Sequence, residues 1–248
     1  MAVTGNAKNK SWNLTMRTIR IFAYFLYLML VNLFRLSDDV DRNYIITKKI
    51  SSKTLSSAGI TVERIGHENI PTEAAVVIAP NHKSLFDIMA MIHVVDRTMG
   101  VVTAKEMYIP VLRKYIDAIK CVRMDRFINT PVDKKEVLLT QQRIVELLNN
   151  GYCLTIFPEG RLIPGADLGE FKTASFKAPL KTDSLIVPAY ISGSEGINKR
   201  GKWFYFPKNV HITVTFGKPI RPSESGAKGT SELSDAVKLA IAEKMGVR

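Results

Sequence analysis

The sequence has 248 residues, of which 46% are hydrophobic, so it is long enough for one well-filled core and too apolar for a disordered chain. Lys and Arg number 35 against 23 Asp and Glu, which gives a formal net charge of +12 at pH 7. A surface this basic predicts phosphate-rich partners: nucleic acid, an anionic membrane leaflet or phosphorylated small molecules. The charge alone does not choose among them.

The N-terminal part of the chain carries an apolar segment. Met1–Lys10 is polar and is expected to be loose, whereas Leu14–Leu36 contains an unbroken apolar core, Ile21–Val31, with Arg20 and Arg35 on its two flanks. This core is shorter than the about 20 apolar residues of a membrane-spanning helix, and no cleavage site typical of a signal peptide follows it. Aromatic residues between arginines predict a helix at the lipid headgroup boundary, and the alternative is a buried core helix.

A second helical stretch, Asn43–Ser57, carries three lysines. We therefore expect residues 1–59 to form a helical membrane-docking segment ahead of a main domain, residues 60–248. Cys121 and Cys153 both lie in apolar runs, so they are predicted to be reduced core thiols. These features together predict a peripheral or monotopic protein on the cytoplasmic face of the cell membrane. The four histidines are scattered, and no metal site is predicted.

From Ile60 onward, short β-rich runs alternate with helical patterns. The candidate strands are Thr61–Arg64, Ala75–Ala79, Gly100–Ala104, Cys121–Met124, Cys153–Phe157, Ile186–Ala189 and Val210–Phe216. The candidate helices are Leu85–Val95, Val111–Ile119, Pro131–Asn150, Phe171–Lys181 and Ser231–Met245. This alternation predicts the α/β fold class, with a central mixed sheet flanked by helices.

The turn after the second candidate strand holds His82, where α/β proteins commonly place ligands. Ser84 is a natural N-cap for the apolar helix that follows, which makes Asp87 the third helical residue. Asp87 then has two possible roles. It can close a capping box with Ser84, or it can pair with His82 and strengthen the imidazole as a general base.

Charged residues also end the neighbouring strands. Phe157-Pro158 stops one strand, and Glu159, Gly160 and Arg161 follow it. The planar guanidinium of Arg161 suits a phosphate group. Two further strand ends carry Lys105 and Arg126. Because these strand ends meet at one edge of the sheet, they predict a polar, cationic cleft.

The pattern Asn81-His82 with Asp87, followed downstream by Phe157-Pro158-Glu159-Gly160, resembles the glycerolipid acyltransferase family, in the type that acylates 1-acylglycerol-3-phosphate. Val122–Arg126 is similar to the family's second motif and Ile186–Ala189 to its fourth. The likeness extends from about Ile60 to Thr215. One departure is that the family usually reads Phe-Pro-Glu-Gly-Thr-Arg, whereas here no Thr precedes Arg161.

The resemblance implies direct transfer of an acyl chain from acyl-CoA or acyl carrier protein to the free hydroxyl of a lysophospholipid, which gives phosphatidic acid. His82 would be the base and Asp87 its partner, with no metal and no cofactor besides the thioester co-substrate. The phosphate would be held by Lys105, Arg126, Glu159, Gly160 and Arg161. Either a reshaped turn lets Arg161 reach the phosphate, or that role passes to Arg126 or Lys105. Residues 60–248 would then be the catalytic domain.

Three other functions are compatible with part of the sequence. They are acyl transfer to another lysolipid headgroup, a non-catalytic lipid-binding protein on the same fold, and a basic nucleic-acid-binding protein. The last explains the charge but neither the apolar N-terminal run nor His82 at a strand end, and the basic residues are spread along the chain rather than gathered on one helix. We therefore expect a membrane partner and no nucleic acid.

Overall fold

The structure, a computed structural model, describes residues 4–104, 110–124, 134–163, 165, 167–197 and 209–246. These residues form one seven-stranded sheet in the order β1-β7-β6-β2-β5-β3-β4. Its strands are β1 (Ile60–Ile65), β2 (Val76–Pro80), β3 (Met99–Ala104), β4 (Val122–Met124), β5 (Cys153–Thr155), β6 (Leu185–Ser192) and β7 (Val210–Phe216). All neighbours pair in parallel except β6 and β7, so the predicted mixed sheet is confirmed.

The helices of the described residues flank this sheet. They are α1 (Thr4–Asn32), α2 (Val40–Ser57), α3 (Phe86–Val94), α4 (Pro110–Ala118), α5 (Lys134–Asn149), α6 (Lys177–Thr182) and α7 (Thr230–Lys244). Every candidate strand and helix therefore has a counterpart. The candidate helix Phe171–Lys181 is wrong at its start, because a 3-10 turn, Thr173–Phe176, precedes α6. The first three residues of the candidate helix Pro131–Asn150 lie outside the described residues.

Strand β2 lies in the middle of the sheet and is buried along its whole length. Its side chains alternate between two cores: Val76 and Ile78 pack with α3 residues on one face, and Val77 and Ala79 pack with α5 and α7 residues on the other. Apolar cover on both faces explains why β2 reads as a continuous apolar run rather than an alternating one. The turn after β2 is thereby fixed at the centre of the sheet edge.

Helices α1, α2 and α4 form a third, smaller core around Leu28, Met29, Ile50 and Tyr115. The expectation that Met1–Lys10 is loose is wrong from Thr4 onward, because α1 begins there. The other side of α1 presents large apolar side chains to the surroundings, namely Met16, Ile19, Phe22, Tyr24, Leu26, Tyr27, Leu30 and Val31, with Phe34 just beyond the helix. The expectation that the apolar segment is too short to span a membrane is wrong by length and composition, because Thr18–Arg35, in α1 and the following turn, is long and apolar enough to cross one. Only 22% of this stretch is buried.

Helix α2 packs against the main domain rather than standing apart from it. The Tyr44 hydroxyl lies 3.3 Å from the Ile92 carbonyl and 3.2 Å from the Val95 carbonyl.

The two cysteines, Cys121 and Cys153, are free thiols, and burial raises the pKa of both to about 12. The prediction of two core thiols is thus confirmed.

Candidate active site

The candidate site lies at the carboxyl end of β2, where the chain turns into α3. The side chain of Asn81 fastens this turn to β6: its Nδ2 donates to the Ile191 carbonyl (2.9 Å), and its Oδ1 accepts from the Ile191 amide (2.6 Å). Asn81 is fully buried, so both hydrogen bonds are shielded from water. The residue that follows, His82, is thereby held at the strand end.

The imidazole of His82 and the carboxylate of Asp87 form a buried pair. His82 Nδ1 lies 3.1 Å from Asp87 Oδ2, and the two residues are 2% and 0% exposed. The same Oδ2 accepts from the backbone amides of Lys83 (2.6 Å) and Ser84 (2.7 Å). Asp87 therefore accepts from the amides of the turn and also pairs with His82, so the contacts expected from both interpretations are present. Because Nδ1 faces Asp87, Nε2 is the ring nitrogen that takes no part in this pair.

The predicted position of the helix start is off by one residue. Helix α3 begins at Phe86, so Leu85 occupies the cap position and Asp87 is the second helical residue. Ser84 still serves the helix end, because its Oγ accepts from the Phe86 amide (3.2 Å). The carboxylate of Asp87 replaces the expected serine cap as the main acceptor of the turn.

Phe157 and Glu159, which follow β5 in the chain, fix the position of His82. The Phe157 ring stacks on the imidazole with the ring centroids 4.0 Å apart. The carboxylate of Glu159, 1% exposed, accepts from the His82 amide at Oε2 and from the Gly169 amide at Oε1, both at 2.8 Å. Burial raises the pKa of Glu159, and these two amide bonds oppose the shift. With both oxygens bonded to backbone amides, Glu159 shapes the turn.

The remaining candidate phosphate ligands are distributed differently. Gly160 has a positive φ of 66°, which favours glycine, and its amide donates to the Phe157 carbonyl (3.0 Å). Arg161 follows with an exposed side chain at the start of the loop to Lys172. Lys105 and Arg126 lie outside the described residues. The structure thus brings His82, Asp87, Glu159, Gly160 and Arg161 to the same edge of the sheet.

Sequence reasoning missed Lys83 and the loop after Arg161, and it named Asn81 in a motif without giving it a role. Lys83 is only 4% exposed, and its Nζ donates to the Asp167 carbonyl. The Ile163 amide donates to the His82 carbonyl (2.8 Å). The available signal for Lys83 was its place between His82 and Ser84, in a turn enclosed by apolar runs, where a lysine needs a partner. Nothing in the sequence marks Asp167 as that partner.

Comparison with known proteins fits this geometry. The acyltransferase family model matches residues 61–192, more than half of the chain and nearly all of the strands that carry the site. A protein of Mycoplasma genitalium is 30% identical over 79% of this chain and 74% of its own length, and one of Mycoplasma pneumoniae is 28% identical over 70% and 67%. Both are called probable 1-acyl-sn-glycerol-3-phosphate acyltransferases.

The fold has a solved counterpart. The crystal structure of the 1-acyl-sn-glycerophosphate (LPA) acyltransferase PlsC from Thermotoga maritima superposes with a TM-score of 0.76, at 22% identity over 94% of this chain and 96% of that one. The sheet, the site at its edge and the family match define an enzyme that transfers acyl groups. The chain belongs to the acyltransferase family.

Proposed function

We propose that this enzyme transfers an acyl chain from acyl-CoA or acyl carrier protein to the free hydroxyl of 1-acylglycerol-3-phosphate, which gives phosphatidic acid. The observation that carries the proposal is the buried His82–Asp87 pair, with Nδ1 3.1 Å from the carboxylate and Nε2 left for a substrate hydroxyl. The names of the relatives support the choice of acceptor. The match to the family supports acyl transfer as the reaction.

The chemistry follows from the pair. His82 Nε2 takes the proton of the acceptor hydroxyl as the oxygen attacks the thioester carbonyl carbon, and a tetrahedral oxyanion forms. When the carbon–sulfur bond breaks, the proton on Nε2 passes to the departing sulfur, which leaves as a thiol. Asp87 stabilises the imidazolium between these steps. Neither a covalent acyl-enzyme nor a cofactor is needed, and we expect activity to survive chelation by EDTA.

The acceptor phosphate would meet cations at the sheet edge. Arg161 is exposed on the loop that begins at Gly160, and Lys105 and Arg126 follow β3 and β4 in the sequence. A guanidinium binds phosphate by parallel hydrogen bonds, which favours Arg161 or Arg126 over Lys105 as the main ligand. Glu159 and Gly160 would contribute by holding the turn that presents Arg161.

The acceptor is a lipid, so the enzyme must work at a membrane. The apolar outer side of α1 supports docking there. In this proposal residues 1–59 are the docking segment, residues 60–248 are the catalytic domain, and the membrane face is the cytoplasmic one. The net charge of +12 favours a leaflet that contains anionic lipids. The protein would then meet its acceptor in the plane in which that lipid lies.

Mass-spectrometric product identification tests the proposal. The purified full chain is given a panel of lysolipid acceptors and acyl thioesters, with His82→Ala as the matched inactive control. We expect phosphatidic acid from lysophosphatidate and almost none from the control. If the enzyme prefers an acceptor without a terminal phosphate, the proposed headgroup is wrong. If it consumes no thioester with any acceptor, a non-catalytic lipid-binding protein is favoured instead.

A further inference from the structure

Lys83 is a buried cation beside the proposed base, and the mechanism does not use it. Its side chain is almost completely removed from water, although burying an ammonium is unfavourable unless it has partners. Its Nζ donates to the carbonyl of Asp167, and its backbone amide donates to Asp87 Oδ2 (2.6 Å). Lys83 thus contacts both the turn between β2 and α3 (residues 81–85, here called the catalytic turn) and the loop that follows Arg161.

Glu159 is a second buried charged residue, and it binds the same loop as Lys83 does. Burial raises the pKa of Glu159, and the ammonium of Lys83 is among the groups that oppose this shift. The two side chains also bind the same stretch of loop: Lys83 Nζ donates to the Asp167 carbonyl, and Glu159 Oε1 accepts from the Gly169 amide (2.8 Å). A buried cation and a buried anion therefore hold neighbouring residues of one loop.

The loop from Pro158 to Lys172 closes on the catalytic turn through further contacts. The Lys172 amide donates to the Pro158 carbonyl (2.8 Å), which joins the two ends of the loop, and the Ile163 amide donates to the His82 carbonyl (2.8 Å). At Gly169 a Cβ atom would lie 2.6 Å from Ile163 Cγ1 and 3.3 Å from Glu159 Cγ. The described part of the loop is therefore tightly packed, and it includes Arg161.

We propose that Lys83 is a positioning residue: the hydrogen bond from its buried ammonium to the Asp167 carbonyl holds the 158–172 loop against the catalytic turn. The loop in turn keeps the guanidinium of Arg161 and the imidazole of His82 placed so that both can contact one substrate molecule. The catalytic part of this inference rests on the proposed function, whereas the closure of the loop does not.

A double-mutant cycle tests this contact in the full chain: wild type, Lys83→Met, Glu159→Gln and the double variant. Limited tryptic cleavage after Arg161, quantified by mass spectrometry, reports opening of the loop. We expect Lys83→Met to be cleaved at least about tenfold faster, because the loop loses the ammonium that binds the Asp167 carbonyl. The double variant should be cleaved at least as fast as Lys83→Met, because a glutamine side chain can keep only one of the two amide bonds of Glu159. Lys244→Met, which changes an exposed lysine on α7, is the matched control and should behave as wild type.

Steady-state kinetics with lysophosphatidate as acceptor separate positioning from a loss of folded enzyme. We expect Lys83→Met to raise the KM for the acceptor several-fold, because Arg161 moves with the loop. A smaller folded fraction lowers only the apparent kcat. Unchanged cleavage and KM in Lys83→Met, or a double variant that is cleaved more slowly than Lys83→Met, would overturn the inference. If the wild-type protein transfers no acyl group, the proposed function is wrong. The cleavage measurements still decide whether Lys83 holds the loop closed.

Discussion

His82 Nδ1 lies 3.1 Å from Asp87 Oδ2, and this one carboxylate oxygen also accepts from the backbone amides of Lys83 and Ser84. The two amide bonds fix the direction of the carboxylate, so the imidazole is oriented by a group that does not turn. The pair is buried, which strengthens each of these hydrogen bonds. The turn after β2 is thus arranged to present one ring nitrogen of His82.

The first prediction concerns the base itself. We expect His82→Ala to lose at least about 10²-fold in kcat, because His82 is the proposed base that takes the proton from the acceptor hydroxyl. The fold should persist, since Asp87 keeps its amide bonds to Lys83 and Ser84. Initial rates and thermal unfolding of both proteins give the comparison, and near-normal turnover in a folded variant would refute the assignment.

The second prediction concerns the coupling between the two residues. Asp87→Asn keeps the size of the side chain but removes the charge that stabilises the imidazolium, so kcat should fall by on the order of 10²-fold. If Asp87 acts only through His82, the variant His82→Ala/Asp87→Asn should be no slower than His82→Ala. Rates of the four proteins complete the cycle. Additive losses would show that Asp87 has a second function in the reaction.

The third prediction concerns the acceptor phosphate. Arg161→Met should raise the KM for lysophosphatidate by about 10- to 100-fold and change kcat less, because a hydrogen-bonded charge contributes about 1.5–3 kcal/mol to binding. Arg143→Met, an exposed arginine on α5, is the matched control for loss of one positive charge. Equal KM values for the two variants would pass the phosphate role from Arg161 to Lys105 or Arg126.

The fold was largely readable from the sequence because its strands are short apolar runs bounded by turn residues. Strand β2, for example, is apolar throughout and is buried on both faces, and β7 alternates as a strand with one face more exposed. The beginning of α1 was not readable, because polar residues such as those of Met1–Lys10 do not produce an apolar period. The split of Phe171–Lys181 into a 3-10 turn and α6 depends on where the 158–172 loop ends, which is a tertiary contact.

The site was readable only where the chain itself brings residues together. His82 and Asp87 are five positions apart in one turn, so their pairing was a local hypothesis. The partners of Glu159 are not local: its carboxylate reaches the His82 amide, 77 residues away. The sequence placed Glu159 with Arg161 among the phosphate ligands, and only the packed structure shows that its carboxylate binds backbone amides. The contact of Lys83 with the Asp167 carbonyl was hidden for the same reason.

The fourth prediction uses the ionisation of Glu159. Burial raises the pKa of Glu159 above 4.5, so the folded state favours the protonated carboxyl. The stability that this preference contributes is complete below the unfolded pKa and is lost as pH rises through the folded pKa. The free energy of unfolding of wild type minus that of Glu159→Gln should therefore fall as pH is raised from about 4.5. Urea unfolding of both proteins in one detergent measures it, Glu146→Gln controls for loss of an exposed carboxylate, and a rising difference would contradict the prediction.

The last prediction concerns the outer side of α1 and the turn after it. Ile19, Tyr27 and Phe34 are 54%, 57% and 95% exposed, and burying each fully in lipid would contribute about 1.5–3 kcal/mol. The triple variant with serine at these positions should bind vesicles containing anionic phospholipid at least about 10²-fold more weakly, as measured by flotation. Ile65→Ser/Leu239→Ser removes exposed apolar side chains from β1 and α7 and should float as wild type does. Equal release of both variants would show that general surface apolarity, rather than α1, holds the protein on the membrane.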